Sequence, residues 1–324
     1  MLRRTVLAAL AKAPLLALGL ERTAAAQVTP RLKALKQEAA GTTLFLGLPE
    51  APFAGTGHGD DTVIVFVPDR FRYASAEGVS ALVHFHGHNS AAERAMLAHS
   101  LREQLVDSRQ NAILIVPQLA LMANDSACGR LAMPDGLARL VRSAVAGAAR
   151  FGRQSLGDAR FPERAPLGRV CLSAHSGGYH AAACSLRVGA LEVSETYLFD
   201  ALYGHNDVFR DWMLARRGNP VESRHKLVSY FTKGSSTDPQ NRVLRSELER
   251  GGLLVVGEQR EGELSRKELS HADAVFIRTE VGHSTVPWET NALRDVLYAS
   301  MLPRHLDSNW FAKRRGSRPI ERRR

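Results

Sequence analysis

Short apolar runs alternate with longer amphipathic stretches along most of the chain. Beyond Thr62 the runs are rich in β-branched and aromatic residues and end at proline, glycine or polar residues, which is typical of strands. Several runs are apolar throughout, as expected for strands covered on both faces. Strands are predicted at 63–67, 81–85, 112–116, 170–172, 196–199, 227–231 and 274–277.

The stretches between these runs have helical spacing and good helix formers. Helices are predicted at 90–108, 134–151, 178–188, 239–250 and 288–301. Strand alternating with helix predicts an α/β fold, in which a doubly wound, mostly parallel sheet is flanked by helices in a single domain. Residues 118–133 and 201–224 have no assignment, and loops of that length usually shape a substrate pocket.

The N-terminus has the pattern of an export signal. Arg3 and Arg4 precede an apolar stretch interrupted by Lys12, and three alanines before Gln27 fit a cleavage site. The Arg-Arg-Thr-Val-Leu segment also resembles a twin-arginine signal. We therefore expect a periplasmic or secreted protein, divided into an export signal (1–26), an N-terminal extension with the first strands (27–61), the α/β domain (62–304) and a basic, disordered tail (305–324).

The positive charge is concentrated at the two ends. Of the net +10, four cations against one anion lie in residues 1–26 and seven against one in residues 313–324, which leaves +1 for the rest. No nucleic-acid-binding module accompanies the tail, so we expect no specific nucleic-acid partner. The tail is best read as a solvated end that can touch anionic surfaces weakly.

Cysteine usage points to no metal or cofactor. Cys171 falls in an apolar run and Cys184 in an alanine-rich helix, so with Cys128 they are predicted to be buried free thiols. A disulfide between two of them is the alternative in an oxidising compartment. No Cys-x-x-Cys pair suggests zinc, and no cofactor is expected.

The candidate chemistry follows the strand ends, where sheets of this kind bind ligands. Ser176 lies in Ala174-His175-Ser176-Gly177-Gly178, between a predicted strand and a predicted helix. A turn that presents a serine hydroxyl there needs small neighbours, and its usual pattern is Gly-x-Ser-x-Gly. Ala174 replaces the first glycine of that pattern, and Gly178 keeps the second.

The segment from about Val63 to His283 resembles the α/β-hydrolase superfamily and, within it, extracellular esterases such as poly(hydroxyalkanoate) depolymerases and feruloyl esterases. The features that carry the resemblance are Val67-Pro68 before Phe71, Val83-His84-Phe85-His86-Gly87, Ala174-His175-Ser176-Gly177-Gly178 and Gly282-His283. The resemblance implies that residues 62–304 form a hydrolase domain whose nucleophile is Ser176. Its substrate would be a small-molecule or polymer ester.

A serine hydroxyl needs a base within hydrogen-bond reach. His283 follows the last predicted strand, where the superfamily's order of nucleophile, acid and histidine places the base. His175 and His180 are too close to Ser176 in sequence to face it easily. They are expected to line the pocket or pack beside it.

The third member of the predicted triad is an acid. Asp200 ends an apolar strand, and a carboxylate at the edge of a core needs a partner such as an imidazolium. Asp238 follows the next strand, where most family members carry their acid, but its surroundings resemble a polar turn. Asp200 is favoured, with Asp238 as the alternative. The predicted oxyanion donors are the amide of Gly177 and the turn at His86-Gly87.

Two other interpretations stay open. His84, His86 and His88 alternate, so on a strand they would share one face and could hold zinc, although Asn89 stands where a carboxylate ligand would be expected. Alternatively, the chain is a non-catalytic exported binding protein that keeps a hydrolase fold, since folds outlive their chemistry.

Overall fold

A computed structural model describes residues 30–49, 51–52 and 59–304 of the chain. Within them, ten strands form one sheet in the order β1-β2-β3-β5-β4-β6-β7-β8-β10-β9. Their bounds are β1 Arg31–Glu38, β2 Gly41–Gly47, β3 Thr62–Pro68, β4 Val79–Phe85, β5 Ile113–Pro117, β6 Leu167–His175, β7 Glu195–Phe199, β8 Lys226–Thr232, β9 Val255–Glu258 and β10 Ala274–Thr279. The predicted export signal and basic tail lie outside the described residues.

The sheet is antiparallel at one edge and parallel elsewhere. β1 pairs with β2, β2 with β3 and β3 with β5 in antiparallel register, whereas every pairing from β5 to β9 is parallel. The first two strands form a hairpin across Ala39 and Ala40, which is where the sequence predicted an N-terminal extension with strands. The predicted doubly wound, mostly parallel sheet is confirmed.

Eight α-helices cover the described sheet. They are α1 Ala92–Ala98, α2 Leu101–Ser108, α3 Gly136–Phe151, α4 Tyr179–Val188, α5 Asn206–Leu214, α6 Asp238–Arg250, α7 Arg266–His271 and α8 Ala292–Tyr298. Across the part of the chain that the structure describes, no helix has both the length and the apolar character that a bilayer crossing requires.

Two hydrophobic clusters lie on opposite faces of the sheet, because successive strand side chains point to opposite faces. In β3, Val63, Val65 and Val67 join the cluster that α3, α4, α5 and α6 cover, while Ile64 and Phe66 join the cluster under α1, α2, α7 and α8. Strands β4, β5 and β7 are buried along their whole length, as their continuous apolar runs predicted. The helices therefore bury both faces.

The predicted elements differ from the structure in three places. The predicted helix over 90–108 is broken at Ser100, whose left-handed backbone (φ +48°) redirects the chain into α2. Helix α5 lies in the unassigned stretch 201–224 and buries Phe209 and Met213, four positions apart on one face. Strand β9 and helix α7 were missed because each is short and lacks a clear period.

The strand order creates a crevice beside β4. The chain leaves β4 toward β5 on one side and returns through α3 to β6 on the other, so the crossovers cover opposite faces of the sheet. Sheets of this type hold ligands at the carboxyl ends of the strands at such a reversal. Gly87 follows β4 and Ser176 follows β6 at this point.

Candidate active site

Ser176 occupies a strained turn between β6 and α4. Its backbone is left-handed (φ +52°), a conformation that costs about 1–2 kcal/mol for a residue other than glycine. This is the geometry of a nucleophile elbow, which exposes a serine hydroxyl above the sheet. Ala174, which replaces the first glycine of the usual pattern, is fully buried and pairs across the sheet with Phe85 and Leu198.

Two glycines let the neighbouring chain close around the elbow. A Cβ on Gly178 would lie 2.4 Å from the carbonyl oxygen of Phe85, so α4 can begin here only without a side chain. A Cβ on Gly87 would lie 2.7 Å from the Cβ of Ser176 and 3.3 Å from its Oγ. The turn after β4 is therefore in contact with the serine.

His283 links Ser176 to Asp200. Its Nε2 lies 2.8 Å from Ser176 Oγ and its Nδ1 lies 2.7 Å from Asp200 Oδ2. When Nδ1–H donates to the carboxylate, Nε2 is free to accept the serine proton. The imidazole is 43% exposed whereas the carboxylate is 1% exposed, so His283 lies at the rim of the site and Asp200 below it.

Asp200 is held by several donors. Besides His283, it accepts from the amide of Thr232 (3.3 Å), from Ser235 Oγ (3.1 Å) and from Thr237 Oγ1. Burial alone would raise the pKa of this carboxyl, but the hydrogen bonds from His283 and Thr237 outweigh it and lower the pKa below its usual range. Asp200 is therefore ionised at neutral pH.

Asp238, the alternative acid, has a different partner. Its two carboxylate oxygens accept from the Nε and Nη2 of Arg242 at 2.8 and 3.0 Å in the first turns of α6. This hydrogen-bonded ion pair lowers the pKa of Asp238. Of the two candidate acids, the fold brings only Asp200 to His283.

The predicted oxyanion residues lie around the elbow. Gly177 directly follows Ser176, and the ring of His88 covers it so closely that a Cβ there would lie 2.3 Å from that ring. The ring of His86 does not face the serine: its Nδ1 donates to the carbonyl of Gly87 (2.8 Å), and its Nε2 accepts from the amide of Leu119 (3.0 Å). His86 thus shapes the turn, and only backbone donors are available from it.

Two buried histidines contact the backbone around His283. His175 Nε2 donates to the carbonyl of His283 (2.8 Å), and the two rings lie 5.0 Å apart. His99 lies beside the backbone of Ser284 and packs edge-on against His175, with centroids 4.7 Å apart. The sequence placed His175 beside the pocket but gave His99 no role, because its burial depends on the break before α2.

Burial keeps this histidine cluster neutral. Desolvation lowers the pKa of His175 to about 3 and that of His99 and His86 to about 4. It also lowers the pKa of His84, whose Nδ1 lies 2.6 Å from Ser173 Oγ. Neutral rings can donate one hydrogen bond each without adding charge beneath the base.

Tyr203 is a site residue that the sequence placed only in the pocket wall. Its hydroxyl lies near Ser176 and Ser236, and burial together with the charge of Asp200 raises its pKa. Its ring meets His283 edge-on at 6.3 Å. Phe209 and Trp212, in contrast, do not form an open pocket surface: Phe209 is fully buried, and Trp212 stacks on His225 at 4.4 Å.

The three alternating histidines do not form a ligand set. His84 contacts Ser173 and His86 contacts Gly87 and Leu119, while His88 Nε2 lies 2.5 Å from Ser126 Oγ. They point in different directions because the strand ends at Phe85, so strand alternation no longer applies to His86 and His88. All three cysteines are buried free thiols, as predicted.

The chain has an α/β-hydrolase fold, as its strand order and the elbow at Ser176 show. Among solved structures it is similar to carboxyl esterase 2 from Tuber melanosporum (12% identity, 83% of this chain and 90% of that chain, TM-score 0.46). It is also similar to an S-formylglutathione hydrolase from Staphylococcus aureus (14% identity, 84% of this chain and 98% of that chain, TM-score 0.45). A third similar structure is a feruloyl esterase module from Clostridium thermocellum (11% identity, 86% of this chain and 90% of that chain, TM-score 0.45). No family model and no curated protein matches the sequence.

Because the backbone of Ser176 is left-handed, glycine at this position should stabilise the protein relative to alanine. Ser176→Gly removes the backbone strain that Ser176→Ala retains, so we expect the glycine variant to be more stable by about 1 kcal/mol. At Ser143, inside α3, we expect the glycine variant to be less stable than the alanine variant by about 0.5–1 kcal/mol, because glycine is a poor residue in a helix interior. Urea denaturation of Ser176→Gly, Ser176→Ala, Ser143→Gly and Ser143→Ala measures both differences in the free energy of unfolding. The same sign at both positions would contradict a left-handed backbone at Ser176.

The neutral histidine cluster predicts acid sensitivity. Unfolded histidine has a pKa of about 6.5, so between about pH 6.5 and pH 4 the unfolded chain binds protons that the folded cluster does not. The free energy of unfolding should therefore fall as the pH falls through this window. We expect His99→Gln to make that slope shallower by up to about 1.4 kcal/mol per pH unit.

The matched control for this measurement is His271→Gln, at an exposed position on α7. It should keep the wild-type slope when the free energy of unfolding is measured by urea denaturation at each pH. Equal slopes for wild type and His99→Gln would contradict the burial of a neutral ring at position 99.

Proposed function

We propose that this protein is a serine hydrolase that cleaves a carboxylic ester, rather than an amide, through an acyl-enzyme on Ser176. The observation that carries the proposal is the unbroken chain of hydrogen bonds from Asp200 through His283 to Ser176. The three residues come from three different strand ends. A strained turn with an imidazole and a buried carboxylate aligned behind the hydroxyl is not expected for an ordinary surface serine.

In the first half of the reaction, Ser176 Oγ attacks the ester carbonyl while its proton passes to His283 Nε2. Asp200 stabilises the imidazolium through the bond to Nδ1 and keeps the ring in the required tautomer. The alcohol leaves with the proton that His283 returns. The second half repeats these steps with water as the nucleophile and releases the acid.

The charge that develops on the carbonyl oxygen needs donors close to Ser176. We assign the amide of Gly177 and the backbone of the His86-Gly87 turn to this role. Both segments contact the serine, and the turn is held by the ring of His86. Removing one such donor typically costs about 3 kcal/mol of transition-state stabilisation. The proposed reaction needs no cofactor.

We also propose that the enzyme works outside the cytoplasm, in the periplasm or as a secreted protein, on a small-molecule or polymer ester. The support is the charge and hydropathy pattern of residues 1–26 and the extracellular esterases that the motifs resemble. Any contact of the basic tail with anionic surfaces would be weak and non-specific.

The nucleophile is tested with a fluorophosphonate probe and a short-chain p-nitrophenyl ester. Wild type should label on Ser176 and turn over the ester, and Ser176→Ala should label nowhere and lose activity by about 10⁶-fold. Peptide mapping locates the adduct. A wild-type protein that forms no adduct, or an alanine variant with the wild-type rate, would instead identify a binding protein with a hydrolase fold.

The acid is tested by comparing Asp200→Asn with Asp238→Asn. Asparagine at position 200 favours the wrong imidazole tautomer, so kcat should fall by about 10³–10⁴-fold. Asparagine at position 238 removes only an ion pair with Arg242, a residue whose side chain is 73% exposed, and kcat should stay within a few-fold of wild type. A larger loss at position 238 than at position 200 would reassign the acid.

A further inference from the structure

A second group of chemically reactive side chains lies one helical turn from the elbow. Cys128, His180 and Cys184 place their sulfur and ring-nitrogen atoms within 4.8 Å of one another. Both cysteines are buried and the histidine is partly buried. The proposed hydrolysis uses none of the three.

One of the three ligand-atom distances matches an edge of a tetrahedral metal site, and all three are within 4.8 Å. His180 and Cys184 are four residues apart on one face of α4, and Cys184 Sγ lies 3.6 Å from His180 Nε2. Zinc bonds of about 2.3 Å to sulfur and about 2.0–2.1 Å to nitrogen, at a tetrahedral angle, separate the two ligand atoms by about 3.6 Å. One edge of the coordination tetrahedron is therefore already formed.

The groups around His180 also favour a cation bound by thiolate and imidazole ligands. His180 Nδ1 lies 2.7 Å from His205 Nε2, so His205 can accept the proton of Nδ1 and direct Nε2 toward the two thiols. Asp125 and Arg187 are the charged groups that face His180. Two thiolates would neutralise a divalent ion, so binding adds no net charge beside the Arg187 guanidinium.

We propose that Cys128, His180 and Cys184 bind one Zn²⁺ ion, with water in the fourth position. Binding releases the two thiol protons to solvent and forms two zinc–sulfur bonds and one zinc–nitrogen bond. The ion joins α4, which begins at the elbow, to the loop before Gly129, which is part of the predicted pocket wall. Its role is to hold that wall against the elbow, and it takes no part in the proposed hydrolysis.

The test titrates Zn²⁺ into the full-length, reduced and chelator-stripped protein against a chromophoric chelator, with Co²⁺ absorption as the second readout. We expect one zinc per chain and a thiolate-to-cobalt charge-transfer band for wild type. Cys128→Ser and Cys184→Ser should bind at least about 100-fold more weakly and lose the band, and His205→Gln should lose about 10–100-fold in affinity.

Cys171→Ser is the matched control, because Cys171 is a buried free thiol in β6 outside the group. It should bind zinc as wild type does, and its unfolding temperature should rise with zinc by the same amount. His180→Gln supplies a further ligand variant if a serine variant does not fold. These readouts need no substrate, so they are independent of the proposed hydrolase activity.

Two results would overturn the proposal. One is a wild-type affinity no tighter than that of Cys128→Ser. The other is formation of a Cys128–Cys184 disulfide in the presence of stoichiometric zinc, seen as the loss of two hydrogens by mass spectrometry, which would make the pair a redox couple.

Discussion

The backbone of Ser176 is the constraint on which the rest of the site depends. A hydroxyl is presented above the sheet only if the chain turns from β6 into α4 through a left-handed residue. That turn is tight enough to exclude a Cβ at Gly178 and at Gly87, so the first turn of α4 and the loop after β4 must both approach as bare backbone. The strain at one residue is thus tolerated because its neighbours are closely packed around it.

The backbone of His283, the proposed base, is contacted by a layer of neutral histidines. His283 lies in a loop, where backbone is more mobile than in a strand or helix. The hydrogen bond from His175 to the carbonyl of His283 and the packing of His99 beside Ser284 limit that freedom. Because both rings are desolvated and uncharged, they orient the base without competing with Asp200 for its proton.

The proposed zinc group shows how one helix can serve two purposes. The start of α4 closes the elbow, and the next turns present His180 and Cys184 to the loop that carries Cys128. The same loop contributes Ser126, whose hydroxyl bonds to His88 above Gly177. The pocket wall, the predicted oxyanion donors and the proposed metal ligands therefore share one layer of packing.

The sequence alone determined what depends on local patterns: most strands, the order of elements, the elbow at Ser176, and the strand ends that bear Asp200 and His283. The spacing of apolar residues and the position of polar residues after each strand suffice for these features, because parallel strands bring their carboxyl ends to one edge of the sheet. Only the tertiary structure decided which candidate acid meets His283, since Asp238 pairs with Arg242 within its own helix while Asp200 lies against His283. It also decided the burial of His99 and the meeting of Cys128 with Cys184, because contacts between distant segments leave no mark in local sequence.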